Sequence, residues 1–144
     1  MIDIESVLLS DEDINVIKNP HVGGIILFER NFKSRDQIKD LCSNIREVKK
    51  EILIAVDHEG GRVQRFKNDF THIPPMQSIG NIAKSNHDKA IKLANDIGWL
   101  IASELISCGV DISFTPVLDL DIDMSTIIGN RAFSDDPQIV IDLA

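Results

Sequence analysis

The chain has 144 residues, 43% of them apolar and 26% charged, with a net charge of −8. That is the length of one ordinary domain and apolar enough to build a core, so disorder is excluded. The acidic balance argues against a nucleic-acid backbone or an anionic membrane surface as the main partner.

The first residues, MIDIESVLLSDED, lack the basic start and long apolar core of a signal peptide. No apolar run approaches the roughly 18 residues of a membrane span. The two cysteines, Cys42 and Cys108, form no disulfide framework, and both fall on apolar helix faces, so they read as buried free thiols. A cytoplasmic, reducing location fits.

Residues 1–4 are a short apolar alternation. Ser10 then starts a helix: Asp13 stands three residues on, as in a capping box, and Asp11, Glu12 and Asp13 suit the positive end of the helix dipole. Ile14 and Ile17 form its inner face, and Asn19-Pro20 ends it. VGGIILF, residues 22–28, is a continuous apolar run of the kind found in parallel strands covered on both faces. It ends in Glu29, Arg30 and Asn31. Ser34 caps the next helix with Gln37 in the capping-box position, and Ile38, Leu41, Cys42, Ile45 and Val48 repeat at helical spacing.

The next strand, residues 52–56, empties into Asp57, His58 and Glu59, then Gly60-Gly61, then Arg62 and Arg65. A buried strand ending in a carboxylate, a glycine turn and an arginine is how a parallel α/β fold presents a polar site at the carboxyl ends of its strands. Residues 66–84, with Pro74-Pro75 and Gly80, read as a long irregular segment. A helix over residues 87–108 comes next, with Ala90, Leu93, Ala94, Ile97, Ile101 and Leu105 on one face and Gly109 ending it. VDISFTPVLDLD, residues 110–121, reads as a further buried strand ending in carboxylates. STIIGNRAFSDDP, residues 125–137, is a polar loop. Asp136 and Pro137 then look like an N-cap and a first helical position. Strand centres near residues 3, 25, 54 and 114, separated by helices, predict a parallel sheet with right-handed crossovers. Four βα units make either an open sheet or half of an eight-stranded barrel, and the short last helix suggests the N-terminal part of something longer.

The residues narrow the chemistry. Neither G-x-G-x-x-G nor G-x-x-x-x-G-K-[ST] is present, so nucleotide readings rank low. Asp119, Asp121 and Asp123 have the spacing of a calcium loop, but Met124 stands at its glycine position and Asn130 at its bidentate glutamate position. His21, His58, His72 and His87 are not at metal-ligand spacing. His58 alone falls in the candidate site, where a supporting role fits better than nucleophilic chemistry. Asp57, Arg65 and Arg131 together would suit a small hydroxyl-rich ligand, the carboxylate accepting from hydroxyls and the guanidinium donating through its rigid fork. The bland reading of the same residues is an internal ion-pair network.

VGGIILFERNF, IAVDHEGGRVQRF, IGWLIASEL, DISFTPVLDLD and IGNRAFSDDP, in that order from about residue 22 to 140, resemble the N-terminal half of the family 3 glycoside hydrolases. The resemblance is greatest to bacterial β-N-acetylhexosaminidases of peptidoglycan recycling. It implies an α/β fold in which residues 1–144 are the N-terminal portion, about four βα units, of a single TIM-type (β/α)8 barrel domain. It implies a cytoplasmic enzyme that releases N-acetylglucosamine from the non-reducing end of β-linked muropeptide fragments. The family retains configuration through a covalent glycosyl-enzyme intermediate, with no metal or organic cofactor and with a small carbohydrate rather than nucleic acid or membrane as partner. Carried over residue by residue, the aspartate of V-D-x-E-G-G is Asp57, the last arginine of G-R-V-Q-R is Arg65 and the arginine of I-G-x-R is Arg131. All three are expected to bind sugar hydroxyls. His58 stands where the family often has glutamine.

The chain also departs from the family. It contains no K-H-F-P-G-H-G, the loop that supplies the histidine acid/base, and no downstream nucleophile motif. Ser134-Asp135-Asp136 imitates the nucleophile's S-D-D, but its neighbours place it in the earlier I-G-x-R…D-P segment. No catalytic residue is therefore assigned, and the 144 residues alone are expected to be inactive. Two rival readings remain: a non-catalytic half-barrel that binds sugar or assembles with another chain, and an unrelated α/β sheet that binds an anion through Arg65 and Arg131.

Overall fold

The computed structural model describes residues 1–122 and 126–144. They form two compact units, interleaved along the chain. The first comprises Met1–Asp57, Arg65–Thr71 and Ser103–Phe114, and the second His58–Gln64, His72–Ala102 and Thr115–Ala144.

In the first unit a parallel sheet has the order β1-β2-β5, with β1 Gly24–Leu27, β2 Leu53–Val56 and β5 Ile112–Ser113. Gly24 pairs with Leu53 and Leu27 with Val56 across β1 and β2. Ile25, Leu27, Ile54, Ala55 and Val56 are buried, as strands covered on both faces should be. α1 (Asp11–Ile17) has the capping box expected of Ser10 and Asp13. α2 (Arg35–Val48) buries Ile38, Leu41, Cys42 and Ile45. Each fully buried Ile or Leu contributes roughly 1.5–3 kcal/mol, so these two strands and this helix stripe are a large part of the unit's core. The α/β alternation read from the sequence is the architecture observed.

Several elements differ from expectation. The alternation at residues 1–4 makes only a single bridge, Ile2 to Ile25. It is also anchored by Asn31, whose buried Nδ2 donates to the carbonyls of Ile4 and Ser6, both at 2.9 Å, and by Arg30, whose Nε donates to the Ile4 carbonyl at 3.1 Å. Ser34 does cap α2, accepting from the Gln37 amide at 3.2 Å. Gln37 does not complete the box: its Oε1 accepts from the Lys33 amide at 2.8 Å, one residue too early. The strand expected over residues 110–121 pairs only at Ile112–Ser113, because Pro116 cannot donate to a ladder.

The thiols are free and buried, as expected. Burial, with the neighbouring Cys108 thiol and Asp111 carboxylate adding to it, pushes the Cys42 thiol up to about 12. Cys108 itself lies beyond the end of α4 (His87–Ile106), which stops two residues earlier than predicted. Gly109, with φ +88°, ends that helix, and the Val110 amide returns to the Leu105 carbonyl at 3.1 Å.

In the second unit β3 (His58–Gly60) and β4 (Val63–Gln64) form a short antiparallel pair with an irregular register. The glycine turn read from the sequence is part of a buried hairpin. Its tip is tied down where the Gly61 amide donates to the Ile73 carbonyl at 2.8 Å. Gly60 has φ +105°, and a Cβ there would stand 2.6 Å from the Pro74 carbonyl oxygen. Only glycine serves at that position.

The segment read as irregular contains a helix the sequence did not reveal, α3 (Met76–Ala83). It has no side-chain cap and holds Gly80 mid-helix, both poor local signals. The packing explains Gly80: a Cβ would lie 1.8 Å from the Phe133 carbonyl oxygen. α5 (Pro137–Leu143) begins as predicted, with Asp136 Oδ1 accepting from the Gln138 amide at 2.9 Å.

Candidate functional site

β2 is a four-residue apolar strand, and Asp57 is the first residue after it. Apolar residues on both faces of the sheet leave only the strand ends for polar groups, so Asp57 stands at the carboxyl end beside the end of β1. Arg65 reaches it with Nη2 donating to Asp57 Oδ2 at 3.0 Å. The Arg65 side chain is 28% exposed and that of Asp57 25%. The Arg65 guanidinium also lies over the ring of Phe28, the residue after β1, at 5.9 Å from its centroid. Its buried Nε has no hydrogen-bond partner among the described residues.

The residues just C-terminal to Arg65 hold it in place. Phe66 and Phe70 pack against Phe32, the rings of Phe32 and Phe66 stacked at 4.8 Å. Glu104 receives the Thr71 amide and hydroxyl, the latter at 2.9 Å. Arg35 covers the Phe70 ring at 5.4 Å. The pair predicted from sequence, Asp57 and Arg65, is thus brought together on a supported segment.

Arg131 belongs to the second unit, in a single 3-10 turn, Gly129–Arg131. Its ion pair is with Glu59, a residue given no role from sequence. Nε donates to Glu59 Oε2 at 2.8 Å and Nη2 to Oε1 at 2.6 Å, a fork-on-fork contact. Glu59 is only 5% exposed at its side chain, Arg131 22%. Arg131 Nη1 donates to the Ile127 carbonyl at 3.3 Å, and Arg62 Nη2 donates to the same oxygen. Glu59 was missed because its burial comes from the β3–β4 hairpin, which was not expected from the sequence, and a buried carboxylate requires a cation.

His58 is 1% exposed and opposes Gln64 across the hairpin, which agrees with a supporting role. Gln64, also missed, is buried and accepts from the Ile73 amide at 3.0 Å. Of the calcium-like aspartates, Asp121 accepts from Gln77 Nε2 at 2.7 Å. Asp123 and Met124 lie outside the described residues, as does Ser125. Among the described residues no group of His, Cys, Asp and Glu could hold a metal ion. No described helix is long and apolar enough to cross a membrane. Asp135 is exposed, and the Ser134 hydroxyl, which donates to it at 3.1 Å, holds its carboxyl below the usual range.

Chemically, each of these arginine–carboxylate pairs offers acceptor oxygens and fixed N–H donors.

A family model described as the glycosyl hydrolase family 3 N terminal domain matches residues 2–144. The chain is 49% identical over 145 residues to a protein named Beta-hexosaminidase from Nitrosomonas eutropha, covering 100% of this chain and 42% of that one. A Beta-hexosaminidase from Methylobacillus flagellatus is 52% identical with the same coverage. Among solved structures, NagZ from Neisseria gonorrhoeae in complex with N-trifluoroacetyl-D-glucosamine matches with a TM-score of 0.98 at 45% identity, over 100% of this chain and 44% of that one. A glycoside hydrolase family 3 β-N-acetylglucosaminidase from a Paenibacillus species matches at 0.89 and 30% identity, over 99% and 27%. The chain therefore spans less than half the length of these relatives.

Proposed function

The chain belongs to the family defined by the glycosyl hydrolase family 3 N-terminal domain, and from that premise we propose that it supplies sugar-binding residues to a longer β-N-acetylhexosaminidase. In this reading residues 1–144 are the N-terminal portion of one (β/α)8 barrel domain. The whole enzyme removes terminal non-reducing β-linked N-acetylglucosamine from muropeptide fragments in the cytoplasm, with retention of configuration. Asp57, Arg65 and Arg131 bind the sugar, and the nucleophile and acid/base come from elsewhere in the polypeptide.

The observation that supports this best is the Asp57–Arg65 pair. It stands at the carboxyl end of a barrel-type strand, part exposed, held by one 3.0 Å bond. A carboxylate and a guanidinium so placed can exchange that bond for sugar hydroxyls at little cost.

The test is hydrolysis of 4-nitrophenyl N-acetyl-β-D-glucosaminide by the full-length polypeptide and by the 144-residue chain. Activity in the first and none in the second is expected. Activity in the short chain would refute the assignment of the reacting groups elsewhere, and inactivity of the long one would refute the function itself.

A further inference from the structure

Arg131 is carried by a short element, the single 3-10 turn Gly129–Arg131. An arginine side chain has four rotatable bonds and loses much rotamer entropy when fixed. Something must set its plane if it is to recognise a ligand. The fork-on-fork contact with Glu59 does so, since two parallel bonds define both the position and the tilt of a guanidinium.

The support behind Glu59 is stiff. All three residues of β3 are buried. Gly60, next along, is lodged against the Pro74 carbonyl, and the Gly61 amide is bonded to Ile73. Glu59 is itself almost wholly covered, whereas Arg131 keeps part of its surface in solvent. A ligand can therefore meet the arginine and not the glutamate.

We infer that Glu59 is a positioning residue. It holds the Arg131 guanidinium in the orientation that binds sugar, and it acts on substrate only through that arginine. This rests on the sugar-binding role proposed for Arg131. The alternative is that Glu59 and Arg131 serve only to hold β3 to the Gly129–Arg131 turn.

The experiment is steady-state kinetics of the full-length enzyme on 4-nitrophenyl N-acetyl-β-D-glucosaminide, with Glu59→Gln, Glu59→Asp, Arg131→Ala and the Glu59→Gln/Arg131→Ala double variant. Glu59→Gln keeps the shape but sets an amide against the guanidinium. It is expected to raise KM roughly tenfold and leave kcat within about twofold, the pattern of lost uniform binding. Glu59→Asp keeps the charge one methylene short and is expected to recover part of that loss. It also serves if Glu59→Gln fails to fold. In the double variant KM is expected to equal that of Arg131→Ala alone, because the two residues act as one unit.

A KM unchanged in folded Glu59→Gln and Glu59→Asp enzyme, with only the melting temperature lowered, would overturn the inference in favour of the purely structural role. So would KM effects that multiply in the double variant. A wild-type enzyme without activity would instead remove the proposed function, and the inference with it.

Discussion

Of the arginine–carboxylate pairs among the described residues, Asp57–Arg65 and Glu59–Arg131 have similar chemistry, and their surroundings differ. Asp57 and Arg65 share one hydrogen bond at 3.0 Å, and each keeps about a quarter of its side-chain surface in solvent. Glu59 and Arg131 share two bonds at 2.6 and 2.8 Å, and the carboxylate is nearly sealed. The difference comes from position. Asp57 ends a strand of the parallel sheet, where polar groups stand at the rim, and Glu59 lies inside a buried hairpin. An open pair gains little from its own contact, so both members remain available to a ligand. A closed pair is costly to break, because the group left behind is a desolvated charge. The first pair is open to solvent and the second is closed.

The largest expected effect breaks the closed pair. Arg131→Ala leaves the Glu59 carboxylate buried without its fork and is expected to destabilise the protein by about 3–5 kcal/mol. Chemical denaturation of wild type and variant measures it. A loss below about 1 kcal/mol would mean that Glu59 re-solvates easily and that the two pairs are equivalent after all. Adding Glu59→Gln to Arg131→Ala removes the orphaned charge and should recover part of the loss.

The open pair was legible in the sequence and the closed one was not, for a physical reason. Asp57 and Arg65 are eight residues apart, bracketed by an apolar run and a glycine turn, and both signals are local. Glu59 and Arg131 are 72 positions apart, and nothing in either neighbourhood names the other. The same contrast runs through the fold. α1, α2 and α5 announce themselves by caps: Ser10, Ser34 and Asp136 all accept from amides of the first turn. α3 has no side-chain cap and contains a glycine, whose place in the helix is explained by the close Phe133 carbonyl. The strand after Gly109 was overread because its apolar composition persists past Pro116 while its pairing does not. At α3 and past Pro116 the sequence pattern was silent or misleading because the outcome depended on distant contacts.

Gly80 offers a second, smaller test that reaches the closed pair from outside. The carbonyl it accommodates belongs to Phe133, two residues beyond Arg131. Gly80→Ala gains up to about 1 kcal/mol of helix propensity. Its Cβ would nevertheless stand 1.8 Å from the Phe133 oxygen, so α3 or the 131–133 segment must shift. Overpacking of this kind costs about 1–3 kcal/mol, and a net loss in thermal denaturation is expected. A neutral or stabilising outcome would show that the Arg131 segment yields readily, and the rigidity assigned to the closed pair would then have to come from Glu59 alone.

The smallest stability effect is expected at the open pair. Asp57→Asn keeps an acceptor oxygen for Arg65 and removes one charge from a part-exposed site, where screening already weakens the interaction. The change in unfolding free energy is expected to stay within about 1 kcal/mol, and raising the salt concentration should shrink it further. The same substitution in the full-length enzyme should lower kcat/KM on the chromogenic N-acetylglucosaminide well out of proportion to that change. A carboxylate accepting from sugar hydroxyls makes stronger bonds than a neutral amide does. A large stability loss with unchanged kcat/KM would reverse the distinction between the pairs. Asp57–Arg65 would then be the structural contact, and the sugar would have to be recognised elsewhere.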